Sequence, residues 1–245
     1  MIEFDKILAE QRSWQTVALV DDIVAQKMAK EAVSKCGDAI AMLRRNLNDI
    51  GYGWTSSERL PSGIVEKNIL KIEKTIGLPV PQILVLFWKE VGGVSFVDLQ
   101  NYQHVDFWRE HKVSSPGSYC DGLYVEVCTD GWVSFIRDEF SIWNRESSAD
   151  ESSHFFLALS PDGYHKDNIS GGAAYGLRAG LSWTPIWQNF QWKGSARPLT
   201  APAGPLDFLS YLRSTILERA GFPGLSGLPG FNLIRDRLLK GVPLF

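Results

Sequence analysis

Apolar residues recur at helical spacing in the first part of the chain. The longest stripe alternates steps of four and three residues, which places its members along one side of a helix. Gly37 is expected to interrupt this helix, because glycine costs about 1 kcal/mol relative to alanine in a helix interior. The stripe consists of Cys36, Ile40, Leu43, Leu47 and Ile50.

A second helix is predicted to begin after Ser62 and to stop at Gly77, since glycine readily adopts the left-handed conformation found at helix ends. Ile69, Ile72 and Ile76 form its buried face. These residues lie three and four positions apart, so the opposite side of the helix is expected to face solvent.

The segment Leu78-Pro79-Val80-Pro81 predicts a stiff connector, because proline fixes φ and disfavours helix at the residue before it. Its last proline suits the first turn of a third helix, Gln82–Val91, which Gly92 and Gly93 are expected to end. This third helix is apolar on nearly every side. It is therefore expected to lie at the centre of the fold.

After Gly93 the spacing changes to the two-residue alternation of strands. The pair Asp130-Gly131 favours a tight hairpin turn, so we expect an antiparallel sheet. A polar loop is expected over residues 144–153. Strands are predicted over residues 94–99, 123–128, 132–136, 139–143, 154–160 and 174–178.

A last long helix is predicted to begin near Pro205 and to stop at Gly221, and the tail after it contains an amphipathic piece, Leu233–Lys240. The expected fold class is α+β, mainly antiparallel sheet packed against helices. The expected organisation is an N-terminal helical extension over residues 1–60, a domain over residues 61–220 and a glycine- and proline-rich tail over residues 221–245 that packs on the domain. The last long helix is expected to bury Phe208, Leu209, Leu212 and Ile216.

Composition places the chain among folded proteins. Its 245 residues are 44% hydrophobic and 22% charged, which is enough apolar surface for a substantial core. The net charge of −3 argues against a dedicated nucleic-acid binder. The longest apolar run, Ile83–Trp88, is far shorter than the roughly 20 residues that cross a bilayer. Three cysteines without paired spacing favour a reducing compartment, so we expect a cytoplasmic protein.

Residues 64–93 resemble the best-marked motif of the Smi1/Knr4 family, also called the SUKH superfamily. In that motif a helix ends in Glu, an apolar residue and Gly, and is followed by Leu-Pro, an apolar helix and a glycine turn into a strand. This chain departs from the pattern at Ile83, where an aromatic is usual, and at Val91, where Asn is frequent. The matching positions are Ile72, Glu73, Gly77, Leu78, Pro79, Gly92 and Gly93.

The resemblance implies a non-enzymatic protein-binding module. Bacterial members of the family resemble immunity proteins that neutralise toxin domains, often nucleases, whereas fungal members resemble regulatory scaffolds. The motif marks the core of the fold, so its residues are expected to be structural. The implied partner is a protein such as a toxin domain, and no cofactor, direct nucleic-acid contact or membrane contact is expected.

The segment Asp162–Gly172 is the most unusual polar stretch and offers a different hypothesis. Backbone N–H groups near Ser170 could form an anion-binding nest, to which His165 and Lys166 would add charge. Asp162, His165, Lys166 and Ser170 would then bind a small molecule or anion in an enzyme or sensor. The alternative is a long turn in which Asp162 bonds the local backbone.

The four histidines, His104, His111, His154 and His165, lack the spacing of metal ligands, so no metal site is predicted. His104 and His111 are expected to be packing residues. A group of tryptophans in a polar segment could anchor a protein interface or could pack in the core. These are Trp183, Trp187 and Trp192.

Overall fold

The computed structural model describes most of the chain. Predictions for the N-terminal 21 residues and for the Asp162–Gly172 loop lie outside the described residues. The structure describes residues 22–98, 100–101, 103–113, 122–147, 155–159, 175–180, 185–188, 206–222, 225 and 228–245.

Helix α1 (Asp22–Asp49) buries the predicted stripe from Cys36 to Leu47. The predicted break at Gly37 is wrong, because the helix continues through it. Packing on both sides of this position outweighs the helix cost of glycine, about 1 kcal/mol. A Cβ at Gly37 would lie 3.4 Å from Cγ2 of Val91, so the small residue also permits close approach of a neighbouring segment.

Helices α2 (Ser62–Ile76) and α3 (Gln82–Glu90) confirm the predicted pair and its connector. Gly77 ends α2 with φ of 69° and donates its N–H to the carbonyl of Glu73. The Glu73 side chain then accepts the N–H of Val80 at 3.0 Å, which ties the connector to the helix. Helix α3 packs against α1 and buries most of its side chains, as its composition predicted.

A three-stranded antiparallel sheet follows the order β1 (Ser56–Glu58), β2 (Gly93–Ser95) and β3 (Tyr124–Val125). Val94 lies opposite Ser57 on one side and Val125 on the other. The predicted strands over 94–99 and 123–128 contain β2 and β3 but are longer than the real ones. The sequence pattern missed β1, whose Ser-Ser-Glu carries no apolar alternation.

Gly92 and Gly93 allow neighbouring segments to approach the start of β2 closely. Gly92 has φ of 92°, and a Cβ there would lie 2.1 Å from the carbonyl oxygen of Glu58. A Cβ on Gly93 would lie 2.3 Å from Cγ2 of Val127. Both positions therefore need glycine because other backbone or side chains occupy the space of a Cβ.

Helix α4 (Gln103–Glu110) packs His104, Val105, Phe107 and Trp108 inward. The carboxylate of Asp98 accepts the N–H groups of Gln100 and Asn101 and so orders the turn that leads into the helix. Phe107 and Trp108 both make ring contacts with the buried Tyr52. The helix thus joins the aromatic part of the core.

Helix α5 (Asp130–Ser147) occupies the region for which the sequence predicted two strands and a hairpin turn, and these predictions are wrong. Thr129 caps the helix, since its Oγ1 accepts the N–H of Trp132 at 3.1 Å. Trp132 and Ile136 are buried and lie four residues apart, which is a helical interval. The part of the predicted 144–153 loop up to Ser147 is helical as well.

A second antiparallel sheet has the order β4 (Phe156–Ala158), β5 (Tyr175–Arg178), β6 (Pro185–Gln188) and β7 (Leu206–Asp207). The predictions over 154–160 and 174–178 contain β4 and β5, whereas β6 and β7 were not predicted. The N–H of Glu126 donates to the carbonyl of Leu159 at 2.8 Å. This bond connects the segments that follow β3 and β4.

The C-terminal part begins with helix α6 (Phe208–Arg213), which continues as a π-helical turn (Ser214–Glu218). The four residues predicted to be buried here are buried. Helix α7 (Phe231–Leu238) overlaps the predicted amphipathic piece. Phe222, Phe231 and Phe245 are buried.

The α+β fold class is confirmed, with helices packed around antiparallel sheets. Buried residues of α1, α3, α4 and the C-terminal helices form a single hydrophobic cluster. The proposed domain boundaries at residues 60 and 220 stay a prediction. Among the helices that the structure describes, none is long and apolar enough to cross a membrane.

Candidate functional site

The four residues of the predicted ligand loop, Asp162, His165, Lys166 and Ser170, lie outside the described residues. The hypothesis of an anion or small-molecule site in this loop stays a prediction. His154, Trp183 and Trp192 also lie outside the described residues, as does the side chain of Trp187 in β6. The predicted roles of these residues stay predictions.

The Leu78-Pro79 corner of the family motif lies against the turn after β5. Gly180 donates its N–H to the carbonyl of Pro79 at 2.9 Å. A Cβ on Gly180 would lie 3.3 Å from Cδ2 of Leu78, whose side chain remains 39% exposed. The corner therefore connects the α2–α3 pair to the second sheet, which is a structural role.

His104 and His111 both pack against protein atoms. The Nδ1 atom of His104 accepts the N–H of Asp98 at 3.1 Å inside the core. Burial lowers the pKa of His104 to about 4, and the nearby Asp98 carboxylate opposes this only partly. His104 is therefore neutral near pH 7. His111 stacks on Phe107 with ring centroids 4.0 Å apart.

Cys36 and Cys128 are buried free thiols. Burial raises the pKa of Cys128 to about 12 and also raises the pKa of Cys36. Both side chains therefore remain protonated at neutral pH and are poor nucleophiles. Within the described ranges, no three His, Cys, Asp or Glu side chains are grouped so that they could hold a metal ion.

The solvent side of α2 combines an exposed apolar residue with two cations. Leu70 is 65% exposed. Lys67 lies three residues before it and Lys74 four residues after it, and all three residues are exposed on the side opposite the buried isoleucines. We call Lys67, Leu70 and Lys74 the α2 face.

Nearby carboxylates already have partners within the protein. Glu66 accepts a hydrogen bond from Lys89 at 2.9 Å, which lowers the pKa of Glu66. Lys71 donates to Asp130, which lowers the pKa of Asp130, with a smaller contribution from the charge of Lys67. In this part of the structure, where all these residues are described, Lys67 and Lys74 form no salt bridge. Their positive charges remain available to a partner.

The helix that carries the α2 face is fixed in place. Val65 and Ile72 are buried on its inner side. Asn68 is buried as well and donates from Nδ2 to the carbonyl of Cys128 at 2.8 Å. The helix also packs along α5. A partner would therefore meet a preorganised surface and would not have to order it.

No family model, curated protein or solved structure matches the chain. The resemblance to the Smi1/Knr4 family stays a prediction that the motif of residues 64–93 carries. In the structure, these residues form helices α2 and α3 and the corner between them.

Leu70 is a candidate binding residue that the sequence pattern did not indicate. The available signal was its position, because an apolar residue directly after Ile69 lies away from the stripe that Ile69, Ile72 and Ile76 form. An apolar residue at such a position faces solvent unless another element covers it. Only the structure shows that Leu70 stays uncovered.

Proposed function

We propose that the chain is a noncatalytic protein-binding module, most specifically an immunity protein that neutralises a toxin domain in the cytoplasm. The observation that carries the proposal is the α2 face, in which an exposed leucine lies between two lysines on a fixed helix. The motif resemblance supplies the specific function.

The chemistry of the α2 face supports protein binding. Burying a leucine side chain contributes about 1.5–3 kcal/mol, and Leu70 has most of its surface left to bury. The two lysines contribute chiefly by speeding encounter with an acidic surface and by disfavouring basic ones. The α2 face therefore offers one apolar side chain to bury and two charges that can pair with a partner.

The charge of the α2 face restricts the toxin surface that it can cover. Lys67 and Lys74 require an acidic patch on the toxin. The active cleft of a nuclease is basic because it binds phosphates. A nuclease partner would therefore be contacted beside its cleft, whereas another toxin class could be contacted across its active face.

The cytoplasmic part of the proposal is supported by the state of the thiols. Cys36 and Cys128 are buried and unpaired, which is usual in a reducing compartment. Many toxin domains must act inside a cell, so an inhibitor of such a domain would need to be present there.

The test is co-expression with candidate toxin domains encoded near this gene, followed by calorimetric titration of the purified chain with any toxin that it neutralises. We expect the wild-type chain to restore growth. Leu70→Asp and the double variant Lys67→Glu/Lys74→Glu should bind the toxin roughly tenfold or more weakly. The matched control is Arg137→Glu/Arg145→Glu, which changes the net charge equally on the exposed side of α5.

Two results would contradict the proposal. Growth inhibition that the wild-type chain does not relieve would exclude immunity against that toxin. Equal affinity of the α2-face variants and the control would show that the contact lies elsewhere. Circular dichroism of each variant should match the wild type, because Leu70 and both lysines are exposed.

A further inference from the structure

Helix α7 is held firmly although it is short. Phe231 and Leu238 are fully buried on its inner side. Asn46 of α1 donates from Nδ2 to the carbonyl oxygens of Leu238, at 2.6 Å, and of Lys240, at 2.9 Å. These contacts fix which side of the helix faces outward.

The start of α7 is fixed as well. Gly230 precedes the helix with φ of 87°, and a Cβ there would lie 2.4 Å from the carbonyl oxygen of Lys112. This close approach holds the helix start against the turn that follows α4. The side chain of Lys112 is exposed beside it.

The outward side of α7 presents Leu233, which is 85% exposed. No other large apolar side chain in the described part of the chain is as exposed. Arg237 follows one helical turn later, and Lys240 lies in the turn after the helix. We call Leu233, Arg237 and Lys240 the α7 face.

The α7 face is positively charged in a chain whose net charge is −3. Asp236 pairs with Arg235 at 3.0 Å, so its charge is already used. Among the described residues, Arg237 and Lys240 have no salt-bridge partner. The two cations therefore remain uncompensated next to an exposed leucine.

A structural reason accounts for part of this pattern. Cations in the last turn of a helix interact favourably with its dipole, typically by about 0.3–1 kcal/mol. This explains Arg235 and Arg237 but not Leu233, which lies in the first turn and contributes nothing to the core. The helix dipole therefore leaves unexplained why Leu233 is exposed beside two cations that have no salt-bridge partner among the described residues.

We propose that the α7 face is a second docking surface, whose occupant is an acidic polypeptide segment that presents an apolar side chain among carboxylates. The inference goes beyond the proposed function and does not use the α2 face. Helix α7 packs on α1, whereas α2 packs on α3 and α5. Two partners, or two parts of one partner, could therefore bind together.

The occupant follows from the charge and from the small size of the apolar contact. A helix that lies in a membrane surface needs a wide apolar face, whereas α7 buries Phe231 and Leu238 in the core and packs the half-buried Ile234 against it. A single leucine between cations instead matches one apolar side chain with flanking Asp or Glu. Salt should weaken the complex, since the charges are solvent-exposed.

The test uses a fluorescein-labelled amphipathic helical peptide with one leucine stripe flanked by glutamates. Binding is measured by anisotropy and by backbone amide NMR in a chain carrying Lys67→Gln and Lys74→Gln. This background removes the charges of the α2 face, so failure of the proposed function does not affect the result. In it, Arg237→Gln/Lys240→Gln is compared with the control Arg137→Gln/Arg145→Gln.

We expect the peptide to shift amides of residues 231–240 and the α7 variant to bind roughly tenfold more weakly. The affinity of the control variant for the peptide should stay within about twofold of its background. Leu233→Asp should weaken peptide binding at least as much as the α7 variant does. These variants keep Phe231 and Leu238, so circular dichroism should be unchanged.

Several outcomes would overturn the inference. They are absence of peptide binding, amide shifts confined to other elements, and equal loss in the control. Binding of phosphatidylserine vesicles in place of the peptide would show that the surface takes a lipid. Self-association that disappears with Arg237→Gln/Lys240→Gln would show that a second copy of the chain is the occupant.

Discussion

Replacing Gly92 with alanine should strongly destabilise the protein, because this residue lies where backbone segments meet. The new Cβ would lie 2.1 Å from the carbonyl oxygen of Glu58, about 1.3 Å short of an ordinary 3.4 Å contact. Neither atom belongs to a flexible side chain, so β1 must move away from β2. Overpacking of this kind typically costs about 1–3 kcal/mol. The positive φ of 92° adds about 1–2 kcal/mol for a residue with a Cβ.

Gly77→Ala is the matched control. Gly77 also has a positive φ, of 69°, but a Cβ there would meet nothing within 4 Å. It should therefore cost only the conformational part, about 1–2 kcal/mol. Urea unfolding followed by circular dichroism gives both free energies of unfolding. If Gly92→Ala lost no more stability than Gly77→Ala, the close approach of β1 to Gly92 would be refuted.

Three further predictions concern buried groups. The pKa of His104 is about 4 when folded and near 6.5 when unfolded, so the unfolded state binds more protons between these values. Stability should therefore rise by on the order of 3 kcal/mol from pH 4 to pH 6.5, and His104→Asn should flatten this dependence in pH-resolved urea titrations. Thr129→Ala should cost about 1 kcal/mol in thermal or urea unfolding, since it removes the cap on Trp132, and an unchanged midpoint would contradict the cap. With Cys120 replaced by serine, Cys36 and Cys128 should react with a thiol reagent only after unfolding, and fast labelling of the native protein would disprove their burial.

The α2–α3 pair could be predicted from the sequence because its boundaries are set locally. Gly77 ends one helix and Pro81 precedes the next, and both effects need only the residue itself and its neighbours. Helix α5 could not be predicted in this way. Its Asp130-Gly131 start also suits a hairpin, and the choice depended on the Thr129 cap and on packing against α2.

The short strands and the candidate surfaces depend on tertiary structure. Strand β1 has no hydrophobic alternation and forms because β2 provides its partner. Leu70 and Leu233 both lie on helices, but their exposure depends on whether another element covers them. The α2 and α7 faces therefore became visible only when neighbouring elements were in place.

The bonds from Asn46 to carbonyls at the end of α7 and just after it bear on how the chain folds during synthesis. Asn46 and Lys240 are 194 residues apart in sequence, and the N–H of Leu123 likewise donates to the carbonyl of Gly221. The ribosome must release the chain up to Lys240 before the first contact can form and up to Gly221 before the second can form. Until then, the apolar side of α1 lacks its C-terminal cover, so nascent chains should depend on chaperones and fold slowly.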